Sequence, residues 1–311
     1  MQKNYIGIDI GGTFVKGGVL TENGTLSAFD SIPTHPQTLA SDVADFCIRL
    51  QRSANVQASA VGIGIPGMID SDRGTVVFAG NLGYRNYPIA EKVSALLGLP
   101  VFITNDANAA ALGESRYGAG KDYSDSILVT LGTGVGGGII LGGKLFAGRH
   151  AQGAEIGHTV IRMGGEQCTC GRRGCFEAYA SATALIRDTR RVGAETPDSL
   201  LHKLAPESID GKTAFDLAER DAAAQRVVEN YVENLACGLA NLANIFRPDV
   251  ILLGGGVANQ GESLLQPLQR IFDRELFGRG LGSPVPILAA SLGNRAGTLG
   301  AAAYALDCSQ A

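Results

Sequence analysis

Twice in this chain a strand-like stretch runs into a glycine turn and straight back out. The first turn is Ile10-Gly11-Gly12-Thr13, and the second, some 120 residues later, is Leu131-Gly132-Thr133-Gly134. Strand patterns flank both: Tyr5–Ile10 and Val15–Leu20 around the first, Ser126–Leu131 and Ile139–Leu141 around the second. A repeated strand–turn–strand opening predicts two related α/β domains facing each other, each offering one glycine hairpin to a shared cleft. A chain of 311 residues is long enough for two such domains. Its 43 glycines are clustered rather than periodic, which excludes a collagen-like repeat and points to loops shaped by backbone.

Composition removes several function classes. With 45% hydrophobic residues and a net charge of −4, the chain is not a disordered one. Asp and Glu outnumber Lys and Arg by 30 to 26, so no basic surface for nucleic acid is expected. The most apolar stretch, Ser126 to Gly143, is interrupted by glycines and reads as buried strands rather than a membrane span. Asn23-Gly24-Thr25 fits a hairpin turn better than a glycosylation acceptor, because no secretory signal opens the sequence. The expectation is a cytoplasmic protein without membrane partners. Six cysteines in that setting do not suggest a disulfide framework. Cys47, Cys237 and Cys308 sit in apolar helical patterns as core residues, whereas Cys168, Cys170 and Cys175 are bunched.

Along the chain, Leu26–Ser31 continues the first strand series, and Leu39, Val43, Phe46, Cys47 and Leu50 follow helical spacing. A strand at Ala60–Ile65 ends at Pro66-Gly67. Ile89, Val93, Leu96 and Leu97 mark a second helix, and Val101–Thr104 a short strand that feeds the alanine-rich helix Ala107–Tyr117. Further on, the spacing predicts one helix over Phe176–Val192, short helices and loops over 193–224, and a long helix over Val227–Phe246. A strand Val250–Leu253, the loop Gly254–Gly256, a helix near Ser263–Phe277, a strand near Val285–Ala289 and a helix Ala296–Leu306 complete the series.

Gly132 to Gly137 satisfies the dinucleotide pattern G-x-G-x-x-G, with Glu155 about 20 residues on, but it runs into a strand where that pattern needs a helix. Gly211-Lys212-Thr213 is no Walker loop, since Pro206 stands at the first glycine. The glycine turns instead suit backbone N–H groups approaching phosphate oxygens. Asp9, at the end of the first strand, would hold Mg²⁺ through water. Lys16 either supports phosphate charge or is an exposed strand lysine. Asn105-Asp106 is open to two readings, an N-cap pair or a general base with Asn105 orienting a substrate hydroxyl. His158, Cys168, Cys170 and Cys175 form H-x₉-C-x-C-x₄-C, a closed tetrahedral set for a structural Zn²⁺.

Taken together, Asp9-Ile-Gly-Gly-Thr13, Asn105-Asp-Ala-Asn-Ala-Ala-Ala-Leu-Gly-Glu114, Leu131-Gly-Thr-Gly-Val-Gly-Gly-Gly138, Glu155-Ile-Gly-His158 and Cys168-Thr-Cys-Gly-Arg-Arg-Gly-Cys-Phe-Glu177 resemble the signatures of the ROK family of sugar kinases and sugar-responsive repressors. The resemblance covers nearly the whole chain. It implies an α/β, two-domain actin/hexokinase-like ATPase fold (ribonuclease H-like) with an interdomain cleft, here divided as 1–117 with 294–311 and 118–293. It implies Asp106 as the base that deprotonates a sugar hydroxyl, and Gly67, Asn81, Asn105, Asp106, Glu155, His158 and Glu177 as sugar contacts. Gly11, Gly12, Thr13, Lys16, Gly132, Thr133 and Gly134 would serve the phosphates, and Gly254, Gly255 and Gly256 the adenosine side. Phe14 stands where many members carry Lys, and Lys16 fits a Gly-Gly-Thr-x-x-Lys variant. Tyr84 replaces a frequent Trp. The expected activity is ATP- and Mg²⁺-dependent phosphorylation of a hexose at O6, glucose first. Alternatives are an N-acetylhexosamine kinase, a fructose or allose kinase, or a non-catalytic sugar sensor. A homodimer or homotetramer is expected from the same resemblance.

Overall fold

The alternation Tyr5-Ile6-Gly7-Ile8-Asp9-Ile10 sends successive side chains to opposite faces of a strand, and this alternation organises the first half of the molecule. The computed structural model describes residues 3–21, 24–279 and 281–310, so Asn23 of the proposed turn lies outside the described residues. In chain order the strands and helices are β1 (Asn4–Ile10), β2 (Phe14–Thr21), β3 (Leu26–Pro33), α1 (Leu39–Ala54), β4 (Ala60–Ile65), β5 (Met68–Asp70), β6 (Thr75–Ala79), β7 (Tyr84–Tyr87), α2 (Ile89–Leu97), β8 (Val101–Asn105) and α3 (Asp106–Tyr117). There follow β9 (Ser126–Leu131), β10 (Val135–Leu141), β11 (Lys144–Phe146), α4 (Glu177–Ala180), α5 (Ala182–Glu195), α6 (Thr213–Leu217), α7 (Ala222–Phe246), β12 (Val250–Gly254), α8 (Glu262–Glu275), β13 (Ile287–Ala289) and α9 (Ala296–Gln310).

Two five-stranded sheets run in the orders β3-β2-β1-β4-β8 and β11-β10-β9-β12-β13, and a small sheet is ordered β5-β6-β7. The chain divides into two compact units, residues 1–128, 138–154 and 291–311 in one, 129–137 and 155–290 in the other.

In the first unit β1, β4 and β8 are parallel, with β2 and β3 antiparallel beyond β1. Ile6, Ile8 and Ile10 join Val43, Phe46 and Leu50 of α1 and Val93 of α2 in one core. Tyr5 faces the other way, packing with Leu299, Ala302 and Ala305 of α9. Between them α9 lies so close to the sheet that side chains do not fit. A Cβ on Gly7 would fall 1.9 Å from the Thr298 carbonyl oxygen, and one on Gly62 would fall 1.8 Å from that of Ala301. On its other side α9 meets α3, where a Cβ on Gly300 would fall 1.6 Å from the Ala109 oxygen.

The structure departs from the sequence reading at two elements. Between β4 and α2, where the pattern indicates no element, three strands of three to five residues form the small sheet. The single helix expected over Phe176–Val192 is two, because Ser181 is extended (φ −78°, ψ 162°) and caps α5 by accepting from the Ala184 N–H. The break frees the Ala182 N–H to donate to the Gly132 carbonyl, so a tertiary hydrogen bond interrupts a helical pattern. Among the described residues no helix is long and apolar enough to cross a membrane.

Candidate active site

Three parallel strands of the first unit end side by side, and their carboxyl ends carry the predicted groups, the position at which open α/β sheets bind ligands. β1 ends at Asp9-Ile10, β4 at Ile65 just before Pro66-Gly67, and β8 at Asn105. Asn105 is the N-cap of α3. Its Oδ1 accepts from the N–H groups of Ala107 (2.9 Å) and Asn108 (3.3 Å), and its Nδ2 donates to the Gly67 carbonyl (3.3 Å). With the cap supplied by Asn105, the half-buried Asp106 begins the helix, its Oδ1 accepting from the Ala107 N–H at 2.9 Å. Burial pushes the Asp106 carboxyl above the ordinary range, and the backbone N–H groups only partly offset this.

Asp9 shares its face of β1 with Tyr5 and Gly7, and so points to the first turn of α9. Only glycine fits opposite, since a Cβ on Gly297 would lie 2.5 Å from the Asp9 Cγ. Burial raises Asp9 to about 6; Lys16 opposes that rise and the charge of Asp106 adds to it. Lys16 is the cross-strand partner of Asp9 on β2, and its Nζ donates to Asn294 Oδ1 at 3.2 Å. The first glycine turn is fixed at its base, where the Gly11 N–H donates to the Phe14 carbonyl and Thr34 Oγ1 to the Gly11 carbonyl. Its tip, Gly12 and Thr13, is exposed. Asn81 is exposed in the turn between β6 and β7. Tyr84, in the position of the missing Trp, is buried; it stacks on Tyr87 and donates its hydroxyl to the Pro36 carbonyl.

In the second unit the other glycine turn is held by its neighbours. Gly132 O accepts from Ala182 N–H, and Thr133 O from Thr183 Oγ1 at 2.7 Å. The carboxylate of Glu177 accepts from the Val135 N–H at 3.1 Å and from Thr169 Oγ1 at 3.0 Å. It therefore links the glycine turn to the cysteine loop. Gly157 packs on the same residue from the other side, where a Cβ would lie 2.1 Å from the Val135 oxygen; this seats the turn Ile156–His158, with Glu155 exposed before it. Gly254, Gly255 and Gly256 leave β12 as an open loop, Gly255 (φ +86°) lying against Leu131 of β9.

The loop residues His158, Cys168, Cys170 and Cys175 bring their donor atoms within 4.8 Å of one another. His158 Nδ1 lies 3.6 Å from Cys168 Sγ, and Cys170 Sγ lies 3.7 Å from Cys175 Sγ. A tetrahedron with Zn–S bonds of about 2.3 Å and a Zn–N bond of about 2.0 Å has edges of roughly 3.5–3.8 Å, so the donor set fits zinc. Gly174 (φ +83°) makes the turn close, its Cα facing the Arg162 carbonyl where no side chain fits.

The structure thus groups the predicted residues by unit: Asp9, Lys16, Gly67, Asn105 and Asp106 in the first, and Glu155, His158, Glu177, Gly132 to Gly134 and the cysteines in the second. It adds Asn294, Gly297, Thr183 and Ser181, none of which belongs to a motif that spacing could single out.

The ROK family model matches residues 5–308. The chain belongs to the ROK family. This ROK chain is 39% identical over 312 residues to a glucokinase of Streptomyces coelicolor, covering 97% of each. Among solved structures it resembles a ROK family glucokinase from Streptomyces griseus in complex with glucose and AMPPNP (39% identity, TM-score 0.80, 99% of this chain and 100% of that one). It also resembles the ROK hexokinase from Thermus thermophilus (35% identity, TM-score 0.87, 99% and 100%). The chain shares with these ROK kinases the actin/hexokinase-like ATPase fold that the resemblance implies.

Proposed function

We propose that this ROK protein is an ATP- and Mg²⁺-dependent kinase that converts glucose to glucose 6-phosphate, with Asp106 as the general base. The observation that carries this reading is the separation of duties at the mouth of α3. Asn105 caps the helix, leaving Asp106 as a half-buried carboxylate just past the carboxyl end of β8, close enough for its charge to act on Asp9. An N-cap pair alone would not need the second acid. The glucose- and AMPPNP-bound relative at 39% identity supports glucose and ATP as the substrates.

Asp106 accepts the O6 proton as O6 forms its bond to the γ-phosphorus and the bond from phosphorus to the β,γ-bridging oxygen breaks, releasing ADP. The raised proton affinity of this largely desolvated carboxyl favours that acceptance. Asp9 would hold Mg²⁺ through water, and the cation would neutralise phosphate charge. Lys16 and the turns Gly11–Thr13 and Gly132–Gly134 would cradle the phosphates, with Gly254–Gly256 on the adenosine side. Gly67, Asn81, Asn105, Glu155, His158 and Glu177 would hold the sugar. Zinc in the cysteine loop would be structural, taken by Nδ1 of His158, so that Nε2 is left for a sugar hydroxyl.

The test is ATP-to-ADP turnover with glucose, N-acetylglucosamine, N-acetylmannosamine, mannose, fructose and allose. Glucose should give the highest kcat/KM, and Asp106→Asn should lower kcat by roughly 10²–10⁴-fold while glucose still binds. Turnover of that variant near the wild-type rate would remove Asp106 as the base, and preference for an acetamido sugar would reassign the substrate.

A further inference from the structure

Glu114 lies at the far end of α3 from Asp106 and is 1% exposed. A buried carboxylate demands donors, and this one is met by backbone from two directions. Oε2 accepts from the N–H groups of Ala119 (3.0 Å) and Ser291 (3.1 Å) and from Ser291 Oγ (3.3 Å), while Oε1 accepts from the Leu292 N–H (2.7 Å). A side chain on Gly118 would collide with Oε2, so the pocket is closed around the carboxylate. Ser291 and Leu292 are no ordinary loop residues. They lead directly into the turn Gly293–Arg295 and the first turn of α9. That short run contains Asn294, which receives the Lys16 ammonium, and Gly297, which packs on the Asp9 carboxyl.

We propose that Glu114 is a positioning residue for the magnesium–nucleotide end of the reaction, holding the entry to α9 so that Asn294 meets Lys16 and the first turn of α9 meets Asp9. It touches no substrate; it acts through the segment it anchors. The inference rests on the kinase reading above, since only there do Asp9 and Lys16 serve a nucleotide. The carboxylate form is required because both oxygens face donors. Glu114→Gln turns one oxygen into an NH₂ group that points at a backbone N–H whichever way the amide is oriented.

Binding of MgAMPPNP and of glucose, each measured by calorimetry, separates this role from simple loosening of the core. Glu114→Gln should weaken MgAMPPNP by about 10-fold, the low end of what losing an outer partner of a metal site costs, and leave glucose affinity unchanged. Asn294→Ala, at an exposed position, should show the same selective loss, and the double variant should be no worse than Glu114→Gln alone. Leu112→Ala, a buried change on the same helix, serves as the comparison for lost stability. Equal loss of MgAMPPNP affinity in Leu112→Ala at a matched fall in Tm would overturn the proposal, as would additive effects of Glu114→Gln and Asn294→Ala. Where Glu114→Gln lowers the yield of folded protein, Asn294→Ala carries the test, and wild-type nucleotide affinity in it overturns the proposal. A wild type that binds no MgAMPPNP overturns the kinase reading itself; a wild type that binds, with variants that bind equally well, overturns this inference alone.

Discussion

Ionising Asp9 is costly because its carboxyl is largely removed from water. Burial lifts its carboxyl from 3.8 to about 6, a shift of about 3 kcal/mol at 1.36 kcal/mol per pH unit, and Lys16 offsets only part of the desolvation. Below about pH 6 the group is neutral and has little attraction for a divalent cation; above it the carboxylate is present. At limiting Mg²⁺ the kcat/KM for ATP should therefore fall as pH drops through about 6, and raising Mg²⁺ should move that limb to lower pH. A pH profile flat from 5 to 8 would separate Asp9 from cation binding. Motifs singled out Asp9, Asp106 and the cysteines, and the structure sets Asp9 at the end of β1, Asp106 at the start of α3 and the donor atoms of His158 and the three cysteines within 4.8 Å. Glu114 stands in the quoted motif too, but its partners Ser291 and Leu292 are 177 and 178 residues away, and no local spacing reports such a contact.

Elements meet here through what their side chains omit. The sequence of α9 reads as a helix, yet nothing in it says that the sheet presents Gly7 and Gly62 to that helix. Gly300→Ala puts a methyl group 1.6 Å from the Ala109 oxygen, so α9 and α3 must part. The expected cost is about 1–3 kcal/mol or more, read as a lower midpoint in urea unfolding at an unchanged slope. An unaltered midpoint would mean the two helices are free to shift. The division of the expected helix into α4 and α5 was illegible for a related reason. Propensity runs smoothly across Ser181, and what breaks the helix is the bond from Ala182 to Gly132, which belongs to tertiary structure. The small sheet β5-β6-β7 escaped because its strands are too short to display a period.

Across the whole molecule the candidate site residues are divided between two units, each assembled from more than one stretch of the chain. Removing metal with a chelator should lower glucose affinity and speed hydrogen exchange over 155–177. Exchange in β1, β4 and α9 should be unchanged, and metal analysis of the untreated protein should find one zinc per chain. Full sugar affinity in metal-free protein would dissociate His158 from the sugar. The paired glycine turns pointed to two units and the resemblance placed 294–311 with the first of them; α9 is seated closely on β1 and β4 of that unit. That seating has a consequence for synthesis. Translation makes β1 first and α9 long afterwards, so the growing chain carries Tyr5, Leu20 and Ala60 uncovered while residues 129–290 are being added. The second unit has all of its residues before the first does, and the order in which the protein matures on the ribosome runs against the order in which it is made.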